Sequence, residues 1–163
     1  MFHNPSIHGT VGFENVMEMI LEFMNDDRDK GYEIMIGTDS QPHKYYTLYV
    51  ETIAVHRGGK GGRYFYRKTK VDGKIEFKNR IFTETGLSLQ LANHITEYLT
   101  QNVYDLFVEN PRIDLSIHVD AGKKGKTREI LSAITGMVVG SGFQCRSKPD
   151  SFVASTIADK HTK

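Results

Sequence analysis

The chain carries a single cysteine, Cys145, in 163 residues. It therefore has no internal disulfide, which fits a protein of the reducing cytoplasm. Cys145 lies in the strand-like run Gly142-Phe143-Gln144-Cys145-Arg146 and reads as a small buried hydrophobe rather than a reactive thiol. Charge of one sign is also missing. A formal net charge of +1, with 25% charged residues, excludes a basic nucleic-acid coat and a disordered acidic tail. Any nucleic-acid contact must be local. No run approaches the ~18 apolar residues of a membrane span. The polar start Met1-Phe2-His3-Asn4-Pro5 lacks a secretory signal pattern. Internal repeats and low-complexity segments are absent too. The only Gly-rich stretch, Gly58-Gly59-Lys60-Gly61-Gly62, lies between two strand-like runs and reads as a hairpin tip rather than a linker. One domain over residues 1–163 is expected, long enough to bury a core.

What is present is a clear alternation of periods. Phe13, Val16, Met17, Ile20, Leu21 and Met24 recur at helical spacing and predict an amphipathic helix from about Phe13 to Asn25. A strand Tyr32–Thr38 runs into Asp39, and Tyr45–His56 and Arg63–Lys70 flank the Gly-rich tip as an antiparallel hairpin. From about Thr83, the positions Leu87, Leu91, Ile95, Tyr98 and Leu99 define a long helix ending before Pro111. The strand Ile113–Val119 then runs into Asp120. Ile130, Leu131, Ile134 and Val138 mark a further helix closed by Gly140 and Gly142, a fifth strand follows from Phe143, and a last helix is expected to start at Asp150. The order predicts an α/β fold with a mixed five-stranded sheet, three antiparallel strands and then two parallel ones, flanked by helices and preceded by an extra N-terminal helix.

Four acids stand out in that frame: Asp39, Glu84, Asp120 and Asp150. A carboxylate aimed at a core is costly unless it is paired or binds a metal. Parallel neighbouring strands bring Asp39 and Asp120 together at their carboxyl ends, where α/β sheets place ligands. Glu84 lies three and seven positions before Leu87 and Leu91, so it shares their inward stripe. On a helix starting at Asp150, that residue shares a face with Val153, Ala154 and Ile157, whereas Asp159 points away by roughly half a turn. The helical phase favours Asp150 over Asp159. Carboxylates with no cysteine or histidine ligand set suit Mg²⁺ or Mn²⁺ rather than zinc.

The segments Ile36-Gly37-Thr38-Asp39-Ser40-Gln41, Phe82-Thr83-Glu84-Thr85-Gly86, Ile117-His118-Val119-Asp120-Ala121-Gly122 and Lys148-Pro149-Asp150-Ser151-Phe152-Val153-Ala154-Ser155 together resemble the ribonuclease H-like superfamily. More narrowly, they look like its YkuK-type group of predicted nucleases, related to RuvC. The resemblance spans nearly everything after the first helix. It implies a metal site of Asp39, Glu84, Asp120 and Asp150, with Asp39 bridging two ions, Glu84 and Asp120 on one and Asp150 on the other. It also implies phosphodiester hydrolysis of RNA, DNA or hybrid by a two-metal mechanism. Some members of the superfamily carry the fourth acid deeper in the last helix, which keeps Asp159 in view. A fold of this kind can equally serve as a non-catalytic nucleic-acid or protein-binding platform.

The cationic candidates are Lys123, Lys124, Lys126 and Arg128, which follow Asp120 at the expected start of a helix whose amides also favour anions. A solvated basic loop explains them as well. Arg63, Arg67, Lys68 and Lys70, interleaved with Tyr64, Phe65 and Tyr66, form a second and weaker basic and aromatic surface. Gly122-Lys123-Lys124-Gly125-Lys126-Thr127 ends like a phosphate loop but lacks its spacing and first glycine. His118, on the Asp120 strand, reads as a half-buried structural histidine, and His43 as part of a polar turn.

Overall fold

The computed structural model describes residues 1–59, 61–103, 113–125 and 127–162. Its sheet has five strands in the order β3-β2-β1-β4-β5: β1 (Tyr32–Pro42), β2 (Tyr46–Arg57), β3 (Gly62–Asp72), β4 (Ile113–His118) and β5 (Gln144–Arg146). The pairs β1/β2 and β2/β3 are antiparallel, while β1/β4 and β4/β5 are parallel, which is the mixed sheet the sequence predicts. Helix α1 (Phe13–Asn25) has the expected bounds. Its apolar stripe Val16, Met17, Ile20 and Met24 is buried with Ile34, Ile36, Ile53 and Phe65 of the sheet. Arg57, at the end of β2, donates from Nη2 to the Phe23 carbonyl at 2.6 Å and so caps the carboxyl end of α1 with a cation.

Two elements run further than the apolar pattern suggests. Strand β1 does not stop at Asp39 but continues to Pro42, with Asp39 opposite Val50 and Pro42 opposite Thr47. Its pairing to β4 ends at Gly37 opposite His118. Beyond that point β1 keeps a ladder on one side only, and this notch past the end of β4 is where Asp120 emerges. Helix α2 (Phe77–Asn102) starts six residues before Thr83, because Phe77 and Ile81 continue the buried stripe through a polar stretch. Along that stripe Glu84, Thr85 and Ser88 are buried polar residues facing the sheet.

The last segment departs most from expectation. After α3 (Leu131–Gly140) and β5, residues Val153–Ala158 wind as π-type turns and lead into a short helix α4 (Asp159–Thr162). Asp150 does not cap it. Phe152 holds the N-cap position, and Asp150 sits in a turn with its N–H donating to the Ser147 carbonyl at 2.8 Å. The segment lies very close to β1: a Cβ on Gly37 would stand 2.7 Å from the backbone nitrogen of Ala154. Only glycine permits that approach.

Candidate active site

Asp39 is half-buried in β1, on the sheet face that Met35 and Val153 share. Its Oδ2 accepts a long hydrogen bond from the Thr162 hydroxyl at 3.4 Å. Burial pushes its pKa up to about 6, and the charges of Asp120 and Asp159 add to the shift. Glu84 approaches from α2 and is 4% exposed. The Ser40 hydroxyl donates to its Oε1 at 2.5 Å, and Arg80 Nη1 donates to the Ser40 carbonyl at 2.8 Å and hydroxyl at 3.0 Å. Even so, burial, reinforced by Asp39 and Asp120, pushes Glu84 up to about 8.

Asp120 follows β4 directly. Lys148 Nζ lies 2.7 Å from its Oδ1. That oxygen is nevertheless buried without an aligned hydrogen-bond donor, so the ammonium neutralises it from an off-axis position. The charge of Asp120 thus reaches both Asp39 and Glu84, and that of Asp39 reaches Glu84, at the notch where β1 outruns β4.

The two candidates for the fourth acid separate. Asp150 is exposed, and its charge reaches His118. Asp159 is half-buried, and its charge reaches Asp39. The winding explains this. Asp159 follows Ala154, which abuts Gly37, by five residues; an i→i+5 turn stacks such residues, whereas α-helical phase turns them well apart. The winding of this segment thus differs from the α-helical phase expected from the sequence.

Other residues have definite tasks. The His118 ring accepts the Val153 N–H at Nδ1, 3.3 Å away, and contacts the Ser116 hydroxyl through Nε2, also at 3.3 Å. Burial drives its pKa down to about 4, so it is a neutral hinge pin between β4 and the last segment. Lys123 and Lys124 are exposed and line a groove with Lys148, Asp150 and Ser155. Arg128 and Lys123 border a second, open groove along α3. Helix α3 begins only at Leu131, after a turn over 127–130, so these cations do not sit at a helix start as expected. Lys126 lies outside the described residues. The Gly122 N–H donates to the Thr127 hydroxyl at 3.0 Å, closing the loop on itself rather than leaving that amide for a phosphate.

Among the described residues no three His, Cys, Asp or Glu side chains are gathered into a ready-made coordination sphere. The residues nonetheless fit a hard cation: all donors are oxygens, two carboxylates are raised by burial and then by neighbouring acids, and a buried oxygen of Asp120 has no aligned donor.

A ribonuclease H-like family model matches residues 15–163. The chain belongs to the ribonuclease H-like family. This ribonuclease H-like chain is also 32% identical over 168 aligned positions to the uncharacterized protein YkuK of Bacillus subtilis (strain 168), covering 100% of this chain and 97% of that relative. No solved structure matches it. The family carries a nuclease-type fold, and no helix among the described residues is long and apolar enough to cross a membrane. Lys148, Ser40, Arg80 and Thr162 were not singled out as site residues in the sequence. Lys148 was within sight, two positions before the favoured Asp150; the others act through contacts 40 or more residues apart in the chain.

Proposed function

We propose that this protein is a divalent-cation-dependent nuclease that hydrolyses phosphodiester bonds in RNA, DNA or hybrid, as one cytoplasmic domain spanning the whole chain. The carrying observation is the convergence of Asp39, Glu84 and Asp120 from β1, α2 and the end of β4, with burial and mutual repulsion raising the first two. Asp39, Glu84, Asp120 and a fourth acid would hold Mg²⁺ or Mn²⁺. We assign that fourth role to Asp159, whose charge acts on Asp39, and leave Asp150 at the rim of the lysine groove. When bound, such ions activate an attacking water and stabilise the leaving oxygen of a phosphodiester.

The chain's own residues prepare this chemistry. Ser40, held by Arg80, orients Glu84 from one side, and Thr162 orients Asp39 from the other. His118 fixes the segment carrying Asp159 against β4. Lys123 and Lys124 offer charge to the nucleic-acid backbone beside Asp120, with Lys126 and Arg128 completing the proposed basic set. With a cation held by Asp120, Lys148, which now pairs with that acid, would be available to a phosphate.

A second reading has a specific observation behind it. With Lys148 already neutralising Asp120 and no assembled coordination sphere among the described residues, the domain would serve as a non-catalytic nucleic-acid-binding platform. Incubating wild type and Asp39→Asn with labelled RNA, DNA and hybrid in Mn²⁺ or Mg²⁺ separates the two. Cleavage by wild type alone supports the nuclease. Binding with no cleavage by either, or equal cleavage by both, rejects it.

A further inference from the structure

Strand alternation divides the basic and aromatic run of β3 into two unlike halves. On the α1 side, Phe65 is fully buried, Arg67 is committed to Glu51, and Arg63 lies over the Phe23 ring. On the other side, Tyr64 and Tyr66 pack against the last segment, and Lys68 and Lys70 continue the same row toward solvent. This second row shares its face with Asp39. Asp39 registers with Val50 and Val50 with Lys68; Gln41 registers with Leu48 and Leu48 with Lys70. Two strand spacings put Lys68 about 10 Å from Asp39 at the backbone, roughly three base steps of a nucleic acid.

The same segment that brings Asp159 and Thr162 to Asp39 adds Lys160 and His161 to this row. The His161 ring stacks on Tyr66 with centroids 3.7 Å apart and planes 11° from parallel, and His3 stacks on Tyr66 at 5.2 Å. Lys70 lies over the Tyr46 ring, which in turn stacks on His43. Among the described residues none of Lys68, Lys70 and Lys160 is ion-paired. Asp72, across from Tyr46, is the acid at the margin of the row. Among the described residues these like charges gather around stacked rings, with Asp39 and Asp159 at the inner end of the row and Asp72 at its margin, an arrangement complementary to a polyanion whose bases also stack.

We propose that Lys68, Lys70, Lys160 and His161, with the Tyr66 and Tyr46 rings, form a nucleic-acid-binding shelf that guides a strand across the sheet to Asp39, on the flank opposite Lys123 and Lys124. The inference rests on the nuclease reading for its direction, since it supplies the second half of a substrate path. Its chemistry is separate from the cation site.

The test measures binding of fluorescein-labelled RNA, DNA and hybrid duplexes across a salt series, in an Asp39→Asn background so that cleavage does not interfere. The variant Lys68→Ala/Lys70→Ala/Lys160→Ala alters exposed side chains only. Arg28→Ala/Lys30→Ala, in the turn between α1 and β1, is the charge-removal control. The shelf predicts binding about tenfold weaker and a salt slope shallower by roughly 2–3 for the triple variant, with the control near the parent. Unchanged affinity and slope in the triple variant, an equal loss in the control, or no binding by the parent at low salt would each overturn it. If wild type cleaves nothing yet the slope falls as predicted, the nuclease reading fails and the shelf stands. If wild type cleaves and the triple variant binds like its parent, the shelf alone fails.

Discussion

Lys148 Nζ and Asp120 Oδ1 lie 2.7 Å apart, so the site already contains one internal cation on one of its acids. A metal ion must compete with that ammonium. The pair is half-exposed on the lysine side and worth on the order of 1 kcal/mol. Lys148→Met is therefore expected to bind Mn²⁺ about fivefold more tightly while cleaving more slowly, because it loses a phosphate contact. Calorimetry and single-turnover cleavage read the two effects separately. Weaker Mn²⁺ binding in Lys148→Met would contradict the competition.

Glu84 makes the protein's stability depend on pH in an unusual direction. Its pKa is raised from 4.5 to about 8, so between these values the native state holds a proton that the unfolded chain has lost. Stability then falls as pH rises. His118, lowered from 6.5 to about 4, contributes the opposite slope below pH 6.5, where it offsets the Asp39 effect. Between pH 6.5 and 8 the Glu84 contribution dominates these three groups. In metal-free buffer it amounts to roughly 2 kcal/mol, or about 4–8 °C in Tm. Thermal melts of Glu84→Gln are expected to flatten over this range, and saturating Mn²⁺ to flatten the wild type. A wild-type Tm that rises from pH 6.5 to 8 as steeply as this would exclude the assignment.

Gly37 holds the geometry that brings the last segment over Asp39. A methyl group there meets the nitrogen and Cα of Ala154 at 2.7 and 3.0 Å, both backbone atoms that cannot rotate aside. Gly37→Ala is expected to cost about 1–3 kcal/mol and to weaken Mn²⁺ binding by drawing Asp159 and Thr162 away from Asp39. Gly86→Ala, in α2 with open space around the new methyl, is expected to be neutral or to stabilise by up to about 1 kcal/mol. Denaturant melts of both variants check the contrast.

Glu51 is a buried acid with a purely structural partner. Arg67 engages its two oxygens at 2.6 and 2.7 Å. Arg67→Met is expected to destabilise by roughly 3–5 kcal/mol, with much of that recovered in Arg67→Met/Glu51→Leu, because the cost is the stranded charge rather than the lost pair. Urea melts of the single and double variants decide it, and equal stability of the two would contradict it.

The sheet and the first helix were legible because their apolar periods are clean: Val16, Met17, Ile20 and Met24 on one stripe, and the Gly-rich tip between two β-branched and aromatic runs. The carboxyl end of β1 was not, because Asp39-Ser40-Gln41-Pro42 has no apolar alternation and is held extended by pairing with β2. The burial of Glu84 is legible through its place on the inward stripe of Leu87 and Leu91. The same reasoning passed over Glu51, since its partner Arg67 lies 16 residues away on another strand. Asp159 was ranked below Asp150 by α-helical phase, and π-type winding is set by the approach of Ala154 to Gly37 rather than by apolar spacing.

Asp39 is the proposed anchor of the cation site. Calorimetric titration of Mn²⁺ into wild type and Asp39→Asn, with native circular dichroism confirmed for both, tests it most directly. Saturable binding to wild type is expected, with Asp39→Asn weaker by at least about tenfold. Equal Mn²⁺ affinity in the two folded proteins, or no binding to wild type with nucleic acid present, would contradict it.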